Sequence, residues 1–162
     1  MLQAEKASAR EQILVVDDEA MICKSCKEIL EYEGYLVEMA SSGEEGLKKV
    51  LKKEFDLVIL DIKMPDISGL TLLKRMRAEQ NHTPVVMMTA YSTVEAAVEA
   101  MKLGAKDFVP KPFTPEELSQ VVRSVIIKKE EMAERIPGEQ IIRKEVVQKA
   151  LEMQKLQAQY TV

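Results

Sequence analysis

Short apolar runs separated by stretches of helical spacing set the limits on what this 162-residue chain can fold into. Four of these runs lead straight into chemically active residues. Ile13–Val16 leads into Asp17 and Asp18, and Leu57–Leu60 into Asp61. Val85–Met88 leads into Thr89, and Phe108–Pro110 into Lys111. Runs this short, rich in Val, Ile and Leu, read as buried strands rather than helices. In an open parallel sheet all strand C-termini lie on one edge, and ligands bind there. Three carboxylates, one hydroxyl and one ammonium are therefore expected to meet in a single cleft. That set suits a divalent cation and a phosphoryl group.

The intervening segments carry helix signals. Glu19–Glu33 has helical spacing and stops at Gly34. Tyr35–Met39 is the second strand. Ser42, with Glu45 three residues on, forms a capping box for a helix to about Lys53. Asp56–Leu60 is almost wholly apolar and reads as a central strand covered on both faces. Met64–Gly69 is a turn, and Ser68 caps a helix over Gly69–Glu79. Thr83–Met88 is the fourth strand, with His82 in the loop before it. Ser92 caps a helix through Leu103, Gly104 ends it, and Lys106–Val109 is the fifth strand. Thr114, Pro115 and Glu117 open the last helix, which leaves the domain near Ile127. The alternation predicts an α/β fold: a doubly wound five-stranded parallel sheet with right-handed crossovers. One switch of direction gives the order 2-1-3-4-5, the flavodoxin-like arrangement, here with a C-terminal helical extension.

This divides the chain into a disordered N-terminal segment (1–11), a domain (12–127) and a helical tail or linker (128–162). In the tail, Pro137 and Gly138 break the helix. A second amphipathic stretch then places Ile142, Val146, Ala150, Met153, Leu156 and Tyr160 on one stripe. A lone helix cannot bury that stripe against itself. It must pack on the domain, on a second copy or on a partner, unless it is a frayed linker.

No apolar run approaches the roughly 18 residues needed to cross a membrane. The polar N-terminus lacks the core of a signal peptide, so a cytoplasmic location follows by default. Net charge is -4, the acidic excess lies before Lys128, and no dense basic field is present. Direct nucleic-acid binding by this chain is not expected. Cys23 and Cys26 have C-x-x-C spacing, which suits a redox or metal site. They fall inside a helix whose face carries Ile22, Cys26, Ile29 and Leu30, however, and lone His82 is not placed to complete a zinc site. Two reduced structural thiols are expected, with Cys26 in the core and Cys23 nearer the rim.

Carboxylates clustered alone would repel, and one would stay protonated. Mg²⁺ removes that conflict: it takes oxygen ligands, keeps several waters and uses one or two carboxylates plus phosphate oxygens. Asp17 and Asp18 are the natural metal holders. Asp61 stands opposite, free for nucleophilic attack that would form an aspartyl phosphate. Lys111 and the metal would offset charge on the transferring group, and Thr89 can donate a hydrogen bond to it. A cis Lys111–Pro112 bond would aim the lysine back into the cleft.

Taken together, Asp17-Asp18-Glu19, Asp61 before Met64-Pro65 and Gly69, Thr89-Ala90, and Lys111-Pro112-Phe113 closely resemble the receiver domain of bacterial two-component response regulators. The match covers roughly Gln12 to Ile127. The stretch from Thr89 to Phe108 most resembles receivers attached to enhancer-binding transcription activators. The resemblance implies that Asp61 accepts a phosphoryl group from a sensor histidine kinase in a Mg²⁺-dependent reaction. It further implies that Asp17, Asp18 and Asp61, with the Lys63 carbonyl, hold the metal. Thr89 and Lys111 would contact the phosphoryl group. A shift of Thr89 would couple to rotation of an aromatic ring on the fifth strand, here Phe108 where tyrosine is common. The domain would catalyse its own phosphorylation and dephosphorylation and switch a downstream output. A homodimer would use either the face from the fourth to the fifth helix or the C-terminal tail. The family's full activators continue into an ATPase and a DNA-binding domain, and no G-x-x-x-x-G-K-[ST] loop occurs in this chain.

Taken singly, each site residue has a plainer reading: Asp17 and Asp18 as helix caps, Asp61 as an exposed strand end, Lys111 as a surface charge. Their coincidence at one sheet edge is what favours a site. Ser25, Ser41 and Ser42 have no base to make a hydrolase triad. A phosphatase of the haloacid-dehalogenase type would need a second acid two residues past the nucleophile, and that position is Lys63. A module that keeps the fold without phosphoryl chemistry is the remaining alternative.

Overall fold

Ile13 to Val16, Leu57 to Leu60 and Val85 to Met88 are all buried, so these strands have apolar cover on both faces. The structure, a computed structural model, describes residues 10–90, 94–132 and 148–154. The strands are β1 (Gln12–Val16), β2 (Leu36–Ala40), β3 (Leu57–Asp61), β4 (Val85–Thr89) and β5 (Asp107–Pro110). They form one parallel sheet in the order β2-β1-β3-β4-β5, the predicted arrangement. Between and after them lie α1 (Ala20–Tyr32), α2 (Gly43–Lys52), α3 (Gly69–Ala78), α4 (Val94–Lys102) and α5 (Pro115–Met132). Strand pleat divides the side chains by parity. Ile13, Val15, Ile59, Val86, Met88 and Val109 join a core with Cys26 and Leu30 of α1 and Leu118 and Val122 of α5. Leu14, Val16, Leu60, Met87 and Phe108 join the opposite core with α2, α3 and α4. Among the described residues no helix is long and apolar enough to cross a membrane.

The predicted caps are largely in place. Ser42 Oγ accepts from the Glu45 N–H, Ser68 Oγ from Thr71, and Thr114 Oγ1 from Glu117. The capping box is displaced by one residue: Glu45 reaches back to the N–H and hydroxyl of Ser41, not of Ser42. Gly34 and Gly104 end α1 and α4 with φ of +100° and +94°, where a β-carbon would be strained. β2 to β5 lie one or two residues later than the sequence pattern suggests, whereas β1 begins one residue earlier, at Gln12.

The last helix runs over Pro115–Met132. One expectation is corrected. Cys23 is not at the rim: it is 4% exposed, because the buried line of α1 runs Cys23, Cys26, Leu30 and leaves Ile22 and Ile29 half-buried. Both thiols are free, and burial raises them to about 11 and about 12, so they stay protonated packing groups. The expected cap at Ser92, the break at Pro137 and Gly138 and the stripe residues Ile142, Val146, Leu156 and Tyr160 lie outside the described residues. So does most of the 1–11 segment.

Arg77 ties the far end of α3 to the loops around it. Its guanidinium donates to the carbonyls of Asn81, Thr83, Leu103 and Gly104. Each of these carbonyls ends a turn that has no strand partner to satisfy it. Arg77→Met should lower stability by about 2–3 kcal/mol. The check is a urea titration, with the midpoint falling and the slope unchanged.

Candidate functional site

The C-terminal edge of the sheet gathers the residues that the sequence singled out. Val16 lies opposite Leu60 in the β1–β3 pairing, so Asp17 and Asp61 follow side by side. Carboxylate oxygens of Asp17, Asp18 and Asp61 all fall within 4.8 Å of one another. Lys111 leaves β5 directly opposite the end of β4, with its N–H on the Thr89 carbonyl at 2.7 Å. The Lys111–Pro112 bond is cis. Lys111 Nζ stands 2.6 Å from Asp17 Oδ2 and 3.3 Å from Asp61 Oδ2. Asp17 is fully buried, Asp61 and Thr89 are each 5% exposed, and Asp18 and Lys63 are exposed. The plainer readings of Asp61 as an exposed strand end and Lys111 as a surface charge are thereby excluded.

Asp17 also does part of what a helix cap does. Its Oδ1 accepts from the Glu19 N–H at 2.9 Å, at the entry to α1. Its Oδ2 is buried and has no aligned hydrogen-bond donor, only the close ammonium. Asp61 is held differently: Lys111 Nζ is farther away, at 3.3 Å. Burial, and then the neighbouring charge of Asp17, raise Asp61 to about 6, although Lys111 and the Lys63 N–H act the other way. For Lys111, burial disfavours the charge, but the hydrogen bond and charge of Asp17, followed by those of Asp61, outweigh it and raise the ammonium.

These residues fit a divalent cation. Three carboxylates face one lysine, so the cluster carries uncompensated negative charge. A buried oxygen lacks an aligned donor, and the exposed Asp18 leaves one side open for the waters that Mg²⁺ retains. Asp17, Asp18 and Asp61 would hold it. The Lys63 carbonyl would complete the set that the resemblance implies.

Two participants were quoted in the sequence motifs but given no role there. Glu19 Oε1 lies 3.6 Å from Lys111 Nζ and adds a third acid on the β1 side. Three consecutive acids at 17–19 were the available signal. Gly69 sits where a β-carbon would strike the Asp61 carbonyl oxygen, while its N–H bonds the Ile62 carbonyl at 2.8 Å. Only glycine lets α3 start this close to the acid. Asp66 fixes the same loop from outside by accepting the N–H groups of Gly43 and Glu44 at the start of α2.

A five-stranded 2-1-3-4-5 sheet with buried acids, a threonine and a lysine on its C-terminal edge defines a receiver. The family model for the response regulator receiver domain matches residues 13–123, and the chain belongs to that family. It is similar to the uncharacterized transcriptional regulatory protein YkoG of Bacillus subtilis, with 40% identity over 114 residues, 70% of this chain and 50% of that one. It is similar also to the transcriptional regulatory protein ZraR of Salmonella typhimurium, with 37% identity over 78% of this chain and 29% of that protein. The chain thus spans half or less of the length of these relatives. Among solved structures, the CheY-like receiver domain protein from Methanospirillum hungatei JF-1 superposes with a TM-score of 0.72 at 35% identity, covering 76% of this chain and 98% of that one.

The raised Asp61 has a consequence for metal-free protein. The folded state keeps that proton to about pH 6, whereas an unfolded aspartate releases it near pH 3.9. Between those values the folded state binds more protons, so the Asp61 contribution to stability falls as pH rises. With chelator present, Asp61→Asn should match wild type near pH 4 and exceed it by about 1–2 kcal/mol at pH 7. Urea midpoints at the two pH values provide the measurement. Equal stabilities at pH 7 would contradict the crowding of the two acids.

Proposed function

We propose that Asp61 is the phosphoryl acceptor of a Mg²⁺-dependent switch. The observation that carries this is the difference between the two buried acids. Asp17 has one oxygen on the Glu19 N–H and the other 2.6 Å from the Lys111 ammonium. Asp61 is held more loosely and is the one left able to attack. At neutral pH it is mostly ionised, since it titrates at about 6. A carboxylate oxygen of Asp61 forms a bond to phosphorus while the bond from phosphorus to the donor's leaving group breaks, its electron pair leaving with that group. Lys111 moves from Asp61 Oδ2 to a phosphoryl oxygen, and Thr89 donates to another. When bound, Mg²⁺ neutralises the charge of the acids and of the incoming group, which is most of what this transfer needs. Membership of the receiver family supports a phosphohistidine on a sensor kinase as the physiological donor.

The rest of the reading concerns the whole regulator. Residues 12–127 make the phosphoacceptor unit, and 128–162 connect or regulate it. The domain turns over its own phosphoryl group and passes a conformational change to an output or partner in the cytoplasm. The names of YkoG and ZraR support a transcriptional output. With no basic field on this chain, DNA contact would belong to another region. Self-association through the α4–α5 face or the tail is a compatible consequence. A phosphatase reading is disfavoured because Lys63, two residues past Asp61, is no acid.

A small phosphodonor such as acetyl phosphate with Mg²⁺ should add one phosphoryl group to the chain, and none to Asp61→Asn, by intact-mass analysis. Label retained on that variant would move the acceptor elsewhere. Asp18→Ala should weaken Mg²⁺ about tenfold or more while leaving the melting temperature within a few degrees, because Asp18 is an exposed ligand and not a packing group. Calorimetric titration gives the first quantity and thermal unfolding the second.

A further inference from the structure

The α4–β5 side of the domain is covered by the chain's own C-terminal piece. Residues 148–154 are helical. Lys149 Nζ lies 5.3 Å from the centroid of the Phe108 ring and 3.4 Å from Asp107 Oδ1. Ala150 is 3% exposed and belongs to the apolar cluster that holds Phe108, Met101 and Ala105, and Met153 packs against that cluster. Gln148, Leu151, Glu152 and Gln154 point outward. The covered positions, 149, 150 and 153, make one helix face. This is docking by one side of an amphipathic segment.

The other side of Phe108 adjoins the phosphoryl site. Thr89, Phe108, Ile62 and Met101 line a cavity of only about 10 Å³ beneath the ring. A space of that size barely admits a water, so the packing between Thr89 and the ring has almost no slack. A hydroxyl drawn toward a group on Asp61 vacates volume beside the ring. The ring can fill that volume only by moving away from Lys149 and Ala150. The contact that would loosen is a weak one: a half-exposed ion pair, a cation over a ring and two apolar side chains. Segments held this lightly are the ones a local shift can free.

We propose that residues 148–154 are an intramolecular cap on the α4–β5 face, and that a phosphoryl group on Asp61 loosens it. The second clause rests on the assignment of Asp61 as acceptor; the first does not. While docked, the cap excludes any partner helix or second copy from the surface around Phe108. Loosening it makes that surface available. By linkage, undocking the cap also favours phosphoryl occupancy.

The test is amide hydrogen exchange by mass spectrometry on the full chain. Ala150→Glu would bury a charge at the contact, and Lys149→Glu would set two acids against each other at Asp107. Both should speed exchange across 148–154 about tenfold or more while β1 and β3 keep wild-type rates. Mg²⁺ with beryllofluoride, a phosphoryl mimic, should slow exchange in the loop after Asp61 and speed it in 148–154 of wild type. Tail exchange that is unchanged in both variants overturns the cap. A loop that responds to beryllofluoride while the tail does not overturns the coupling and leaves the acceptor assignment standing. A loop that does not respond removes the acceptor assignment, and the two variants alone then decide the cap.

Discussion

A single ammonium holds two buried carboxylates at the end of a parallel sheet. Lys111 stands within ion-pair distance of Asp17 and Asp61 and offsets part of their charge where water is excluded. The pair is not symmetric. Asp17 takes the shorter contact and a backbone N–H, and Asp61 is left with a raised affinity for protons. The residual negative charge is what gives the cluster its appetite for a divalent cation and for the positive surroundings of a transferring phosphoryl group. A neutral or fully paired cluster would bind neither.

The placement of these charges is enforced by the structure around them. Parallel pairing brings the ends of β1, β3 and β4 level. Gly69 lets α3 begin against the Asp61 carbonyl, and Asp66 ties the intervening loop to α2. Arg77 fastens the opposite end of α3 to four carbonyls. Positions on rigid elements hold reacting groups more closely than positions on free loops, and phosphoryl transfer depends mainly on positioning and electrostatics.

On the proposed function the sheet would also carry information away from the site. Thr89 lies at the C-terminal end of β4 and borders the same tight space as Phe108. Because Phe108 has no hydroxyl, its position is decided by burial rather than by a hydrogen bond. The docked tail adds to that burial from outside. Chemistry at Asp61 and occupancy of the α4–β5 surface therefore meet at one aromatic ring.

Much of this was legible in the residue pattern. Short continuous apolar runs, helix caps at Ser42, Ser68 and Thr114 and terminal glycines at 34 and 104 are local signals, and their alternation gave the element order from which the sheet topology follows. The same strand ends named Asp17, Asp18, Asp61, Thr89 and Lys111, because a parallel sheet has only one edge where they can meet. Tertiary structure alone decided which oxygen Lys111 approaches, that Glu19 joins the cluster, that Cys23 rather than Ile22 faces the core, and that Ala150 and Met153 pack on the domain's own core. Those outcomes depend on helix rotation and on contacts between distant segments, where differences of a few tenths of an ångström or a few tens of degrees select among arrangements that the sequence leaves equally open.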